Sequence, residues 1–259
     1  MPGQPFPFIE RVNAVSTAEP WRWLAAGWED LRAARMKSVA CSIPFVLAGY
    51  AVTFGLYQAG LHYLIWPALS GFFLLAPAFA VGYYEASRAR EAGEMVRLGA
   101  MLGAWRRNAS RVFGAGLTLC FFMILWLRSA ALIYAINFPH GMISIQSILN
   151  QTFFSADGLA FLAIGTVVGA VFAVAAFLFS AVSLPMVLGE RADLLPAIFI
   201  SAAAVMLNRR AMILWAAIIV VTTAAGMATA FVGLIVTMPL LGHASWHAYR
   251  ALVRPAGEG

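Results

Sequence analysis

The stretch AMILWAAIIVVTTAAGMATAFVGLIVTMPLL, Ala211 to Leu241, decides the fold. It is too long for one untilted crossing of a hydrocarbon core about 30 Å thick, and short for two crossings of about 20 residues each. Gly226 divides it, and the chain beyond Leu241 continues as GHASWHAYRAL. A turn near Gly226 would give two spans, over 210–226 and 228–250. Without a turn the region is one long, tilted helix ending on the opposite side. The rest of the chain decides between them.

Of the 259 residues, 62% are hydrophobic and 11% charged, and the mean hydropathy is +0.83. Soluble domains carry about 25% charged residues. One soluble core cannot absorb this deficit, so lipid must solvate much of the surface, and the chain reads as a polytopic membrane protein. The net charge of +6 does not point to nucleic acid. The basic residues gather beside apolar runs, as in LRAARMK, AWRRNASR and LNRR, where they fix orientation in a bilayer. Cys41 and Cys120 both lie inside apolar runs and read as small buried hydrophobes, not a disulfide.

Four further runs are long enough to cross: about 38–59, 64–84, 112–136 and 159–188. Lys and Arg crowd the segment before the first run, the connection after the second and the connection after the fourth. The turns after the first and third runs hold none. The positive-inside rule then places the N-terminus in the cytoplasm, and Arg250 and Arg254 place the C-terminus there too, which requires an even number of spans. The expectation is six spans in one membrane domain over 20–252, with a mobile Pro-rich tail at 1–19 and a C-terminal tail at 253–259.

Each cytoplasmic segment before a hairpin carries an apolar stripe at i, i+3, i+7 and i+10. The stripes are Trp21, Leu24, Trp28, Leu31; Met95, Leu98, Leu102, Trp105; and, weaker, Leu195, Ile198, Ala202, Val205. This spacing predicts amphipathic helices lying in the interface. The first and last hairpins also share punctuation. GFFLLAP (Gly71 to Pro77) parallels GLIVTMP (Gly233 to Pro239), and Arg88 and Arg250 each follow their Pro by eleven residues. The reading is an all-α protein of three hairpins, each preceded by a cytoplasmic amphipathic helix, in an internal repeat.

WLAAGWEDLRAA, SLPMVLGERADLLPAIFISAAAVMLNRRAM and PLLGHASWHAYRAL resemble the bacterial integral membrane proteins grouped as domain of unknown function 2189. The resemblance implies an inner-membrane protein with no established activity; labels within the family sometimes suggest a cytochrome oxidase subunit. A catalytic oxidase core would need axial histidines for two haems plus a copper site, and four histidines are too few.

His243 and His247 are four apart, which puts both imidazoles on one helix face and makes them the candidate metal or haem ligands. His62 and His140 fall in the outer turns, about 30 Å of hydrocarbon away. Cys41, Glu85, Glu190 and Asp193 are the possible partners on the same side. Under the repeat Glu85 corresponds to His247, each eight residues after its Pro, so the two could form a polar pair. The competing reading is an interfacial belt or helix packing, with Trp246 and Tyr249 at headgroup level and Arg250 reaching water. Arg128 is the one candidate for a transport charge inside a span, and it lies near the outer end, where it would snorkel. No phosphate loop and no nucleophile elbow is present.

The expected function is that of a non-enzymatic accessory or scaffold protein without a cofactor. Its partners would be the lipid bilayer and a membrane-protein partner or a second copy. The alternatives are an uncoupled permease or channel, and a metal- or haem-binding protein through His243 and His247.

Overall fold

The computed structural model describes residues 9–138 and 152–254. His140 lies outside them, as do residues 1–8 and 255–259 of the expected tails. Among the described residues there is no strand. A single antiparallel bridge joins Val12 to Val253.

The helices, in chain order, are α1 (Glu19–Ala33), α2 (Arg35–Gln58), α3 (Ile65–Leu74), α4 (Ala76–Phe79), α5 (Val81–Glu91), α6 (Leu98–Leu102), α7 (Ala109–Asn137), α8 (Ala156–Ser180), α9 (Ser183–Gly189), α10 (Leu194–Leu207), α11 (Arg209–Ala228) and α12 (Leu234–Leu252). Short 3-10 turns cover Ile9–Arg11, His62–Leu64 and Ala104–Asn108. Among the described residues four helical stretches are long and apolar enough to cross a membrane: Arg35–Gln58, Ala104–Asn137, Ala156–Gly189 and Arg209–Ala228.

The region 211–252 forms two helices, so one long helix is excluded. The reversal lies after Ala228, not at Gly226. Ala230 and Phe231 adopt left-handed φ of 50° and 67°, which ends α11 because L-residues do not continue a right-handed helix there. Thr229 ties the turn, its hydroxyl donating to the Gly226 carbonyl at 2.9 Å and accepting from the Gly233 N–H at 2.7 Å. Gly226 instead permits close packing: a Cβ there would lie 2.4 Å from the Thr237 hydroxyl.

The second expected span, 64–84, is interrupted twice, giving α3, α4 and α5. Pro77 has no N–H to continue the ladder of α3, and the Leu75 N–H already bonds back to Phe72 in a tighter turn. The expected helix through Met95 and Trp105 is likewise broken. Gly103 separates α6 from the 3-10 turn that follows, and Met95, Leu102 and Trp105 are exposed.

The described residues fall into two compact units: residues 1–46, 77–116 and 177–259 in the first, and 47–76 with 117–176 in the second. In the first, α1 packs along α12, with α5 and α11 beside them. The buried face of α1 is Trp23, Gly27, Asp30 and Leu31, whereas Trp21 and Trp28 of the expected stripe point outward. Trp23 meets Trp215 edge to face at 5.7 Å. Within the tail expected to be mobile, residues 11–15 are held down. Asn13 bonds to the backbone of Ala251 and Leu252, and Asn208 bonds to Asn13 and Val15.

In the second unit Trp126 is the centre. Its indole N–H donates to the Pro67 carbonyl at 2.8 Å, and its ring meets Phe172 at 6.1 Å. Tyr63 stacks on Tyr134 at 4.3 Å. His62 sits against Tyr57 at 5.1 Å.

Candidate functional site

The first unit gathers nearly all of the buried polar chemistry, in two neighbouring clusters. The first is built on His243. Small residues bring its helix close: a Cβ on Gly242 would lie 2.5 Å from the Tyr83 ring, so α12 seats directly on α5. His243 is 0% exposed. Its Nδ1 is 2.8 Å from Ser87 Oγ and its Nε2 is 2.9 Å from Ser38 Oγ. Ser87 donates its one proton to Asp30 Oδ2 at 2.5 Å, so it must accept from His243 Nδ1–H. Nε2 then accepts from Ser38, and the ring is a neutral tautomer with both nitrogens satisfied. Beside it the Tyr83 hydroxyl and Ser42 Oγ are 2.9 Å apart, and Ser42 donates to the Ser38 carbonyl at 3.0 Å.

Asp30 closes this chain at its other end. The residue is buried; one oxygen accepts from His247 Nε2 at 2.8 Å and the other from Arg90. Burial works against the charged form. Hydrogen bonds from His247 and Ser87, the charge of His247 and the bond from Arg90 outweigh it and hold the carboxyl down at about 2. The network therefore runs Arg90/His247–Asp30–Ser87–His243–Ser38. The two histidines do share a helix face, but they are joined through a carboxylate and a hydroxyl, not through a common ligand. Among the described residues no group of three or more His, Cys, Asp or Glu is placed to hold a metal ion.

The second cluster is made of ion pairs. Glu85 is buried and takes Arg88 in two bonds of 2.9 Å, with Arg107 at 3.3 Å. Glu85 and Glu94 together push the Arg88 guanidinium above its ordinary value. The expected Glu85–His247 pair is not made, because Arg88 one turn away claims Glu85 while His247 reaches Asp30 on α1. Glu190 receives Arg11 at 2.7 and 2.8 Å and the Tyr249 hydroxyl at 2.7 Å. Glu91 receives the Trp246 indole N–H and Arg250 Nε, each at 2.9 Å.

Trp246 and Tyr249 are thus not a headgroup belt. They are 3% and 1% exposed, and each donates its polar hydrogen to a carboxylate of the protein, Glu91 and Glu190 respectively. Arg250 is partly exposed, as the sequence suggested. Arg128 lies exposed on α7 in the second unit, in a different unit from both clusters. Asp30, Ser38, Ser87, Arg107 and Asn108 carry the geometry without having drawn notice in the sequence. The available signals were local: Gly27 and Asp30 share a face with Trp23, and Ser38 and Ser42 are one turn apart on an apolar helix.

No curated protein and no solved structure matches the chain. A family model does match, over residues 65–189, and its description is "Predicted integral membrane protein (DUF2189)". That segment supplies Glu85, Ser87, Arg90 and Arg107 to the two clusters, together with α7 and α8, two of the helices able to cross a membrane. Over that segment, a little under half of its length, the chain is similar to the integral membrane proteins grouped as domain of unknown function 2189.

Proposed function

We propose that the chain is a six-span bacterial inner-membrane protein with both termini in the cytoplasm. Its cytoplasmic layer of short helices serves a non-enzymatic accessory role, holding a membrane-protein partner at the lipid surface. Polar bonds at the base of each hairpin support the span count. Asp30 with Arg90, and Lys37 with the Val96 carbonyl at 2.7 Å, join α1 and the first turn of α2 to the last turn of α5 and the chain just after it. Asn108 bonds the Val187 carbonyl at 3.1 Å, across α7 and α8. Asn208 and Ala251 both bond Asn13, across α11 and α12. A helix able to cross lies in each hairpin, which supports a departure from one membrane side and a return to it.

The observation that carries the accessory role is the outward face of the short helices. Trp21, Trp28, Leu102, Trp105, Leu195 and Phe199 are all exposed, and Arg106 lies over the Trp105 ring at 5.1 Å. Aromatic residues with adjacent cations on helices too short to span suit an interface. The inner faces of the same helices are buried within the first unit. Catalysis is disfavoured by order as well as burial. Ser87 stands between Asp30 and His243, whereas a nucleophilic triad needs the histidine in the middle.

Two experiments test this. Single cysteines at Gly60 and Val232, in a background lacking Cys41 and Cys120, should label from one side of the membrane; cysteines at Glu94 and Ala192 should label from the other. All four labelling from one side would refute six spans. Gentle extraction from the native membrane should recover a stoichiometric partner that is lost when Trp21 and Trp105 are both changed to Ala. Recovery of the protein alone would refute the accessory role.

A further inference from the structure

A cavity of about 380 Å³ in the first unit is lined by Arg88, Arg107 and Arg250 together with Glu91, Glu190 and the rings of Trp246 and Tyr249. The two carboxylates have no unused oxygen. Glu190 accepts Arg11 on both oxygens and Tyr249 on one. Glu91 accepts Arg250 on one oxygen and Trp246 on the other. Arg88 is spent on Glu85 and Glu94. What the cavity has left over is donors.

Arg107 makes one hydrogen bond, from Nη1 to Glu85, and that bond is long at 3.3 Å. Its Nε is buried without any partner. Arg250 uses only Nε, so both of its terminal nitrogens remain available. The side chains are 30% and 38% exposed, so the cavity reaches the surface. Arg107 is also held in place. The neighbouring Asn108 donates to the Val187 and Ala192 carbonyls and accepts from Arg111, pinning the 3-10 turn that carries it.

A buried, unbonded guanidinium nitrogen is costly, and the ligand that best satisfies two arginines on separate elements is one with several anionic oxygens. A carboxylate saturates one guanidinium fork; a phosphate has oxygens for both. We infer that this cavity binds a phosphate group, carried by an anionic phospholipid headgroup or as free inorganic phosphate, through Arg107 and Arg250. The inference does not depend on the accessory role.

The test is titration calorimetry on the whole protein, purified in a non-ionic detergent without phosphate. Inorganic phosphate is one ligand and dihexanoyl phosphatidylglycerol the other. At least one should bind, and Arg107→Gln and Arg250→Gln should each weaken it about tenfold, while Arg22→Gln, an exposed residue far from the cavity in sequence, should not. Binding of the lipid alone assigns a headgroup; binding of both with equal loss in the variants assigns the phosphate itself; binding of phosphate alone assigns a soluble ligand. Thermal unfolding of each variant checks that it is folded, and Arg250→Gln stands as the readout should Arg107→Gln fail to fold. Absence of binding by both ligands overturns the inference, as does unchanged affinity in both folded variants.

Discussion

Gly27 of α1 and Ala244 of α12 pass so closely that a Cβ built on Gly27 would lie 2.6 Å from the Ala244 nitrogen and 2.8 Å from its methyl carbon. The obstacle is backbone, which cannot rotate away. Gly27→Ala must therefore push the helices apart, disturbing the Asp30 contacts one turn along. Overpacking of this kind costs about 1–3 kcal/mol, and it should appear as a lower unfolding temperature in detergent. Gly99→Ala is the control. Nothing lies within 4 Å of its added carbon, so it should be neutral or slightly stabilising. Equal behaviour of the two variants would rule out the close helix crossing.

Asp30 makes stability depend on acid. Its carboxyl is lowered from 3.8 to about 2 in the folded protein. A depressed folded value means the contribution is complete above pH 3.8 and is lost as pH falls through 2. The shift corresponds to about 2 kcal/mol at neutral pH. Asp30→Asn should cost a similar amount at pH 7, and its stability should converge with that of the unaltered protein as pH approaches 2. The difference between the two curves isolates Asp30 from the other carboxylates. A difference that does not change with pH would show that folding leaves the Asp30 carboxyl at its unfolded value.

The spans were legible because hydrophobic length is a local property: α2, α7 and α8 can be counted from consecutive residues. The expectation of an even number of crossings rests on where the arginines sit. The buried network was not legible, because Asp30, Ser38, Ser87, Arg90 and His243 come from four helices, and each alone resembles a surface residue. Periodicity also left facing undecided. Trp21 and Trp28 form a good stripe, yet the face of Trp23, Gly27 and Asp30 is the one that packs inward. In a membrane protein either face can be apolar, since one meets protein and the other lipid. His243 and His247 were noticed for metal spacing, and their actual partners, two serines and an aspartate, lie more than 150 positions away in sequence.

His243 offers a direct comparison of two readings. His243→Ala removes a fully buried ring and leaves the hydroxyl of Ser38 without its acceptor and that of Ser87 without its donor. The cavity and the unpaired groups together should cost about 3 kcal/mol. Elemental analysis and an absorption spectrum of the pure protein should show the same iron, zinc and copper content with and without the substitution. Stoichiometric metal that disappears in His243→Ala would overturn this, since a ring nitrogen bound to metal cannot also accept from Ser38.

Trp126 should couple to Gly169 in the second unit. A Cβ on Gly169 would meet the far edge of the indole, Cη2 at 3.1 Å and Cζ3 at 3.3 Å, atoms that phenylalanine lacks. Trp126→Phe alone removes the hydrogen bonds to Pro67 and Ser70, and a polar contact inside a membrane protein is worth about 0.6–1.7 kcal/mol. Gly169→Ala alone should cost about 1 kcal/mol, because the ring must shift and strain those same bonds. In the Trp126→Phe background the methyl enters vacated space, so its penalty should vanish and the double variant should be no less stable than Trp126→Phe. Contacting residues are the ones expected to depart from additivity. Unfolding temperatures of the four proteins close the cycle, and strictly additive losses would show that the indole edge and Gly169 are not in contact.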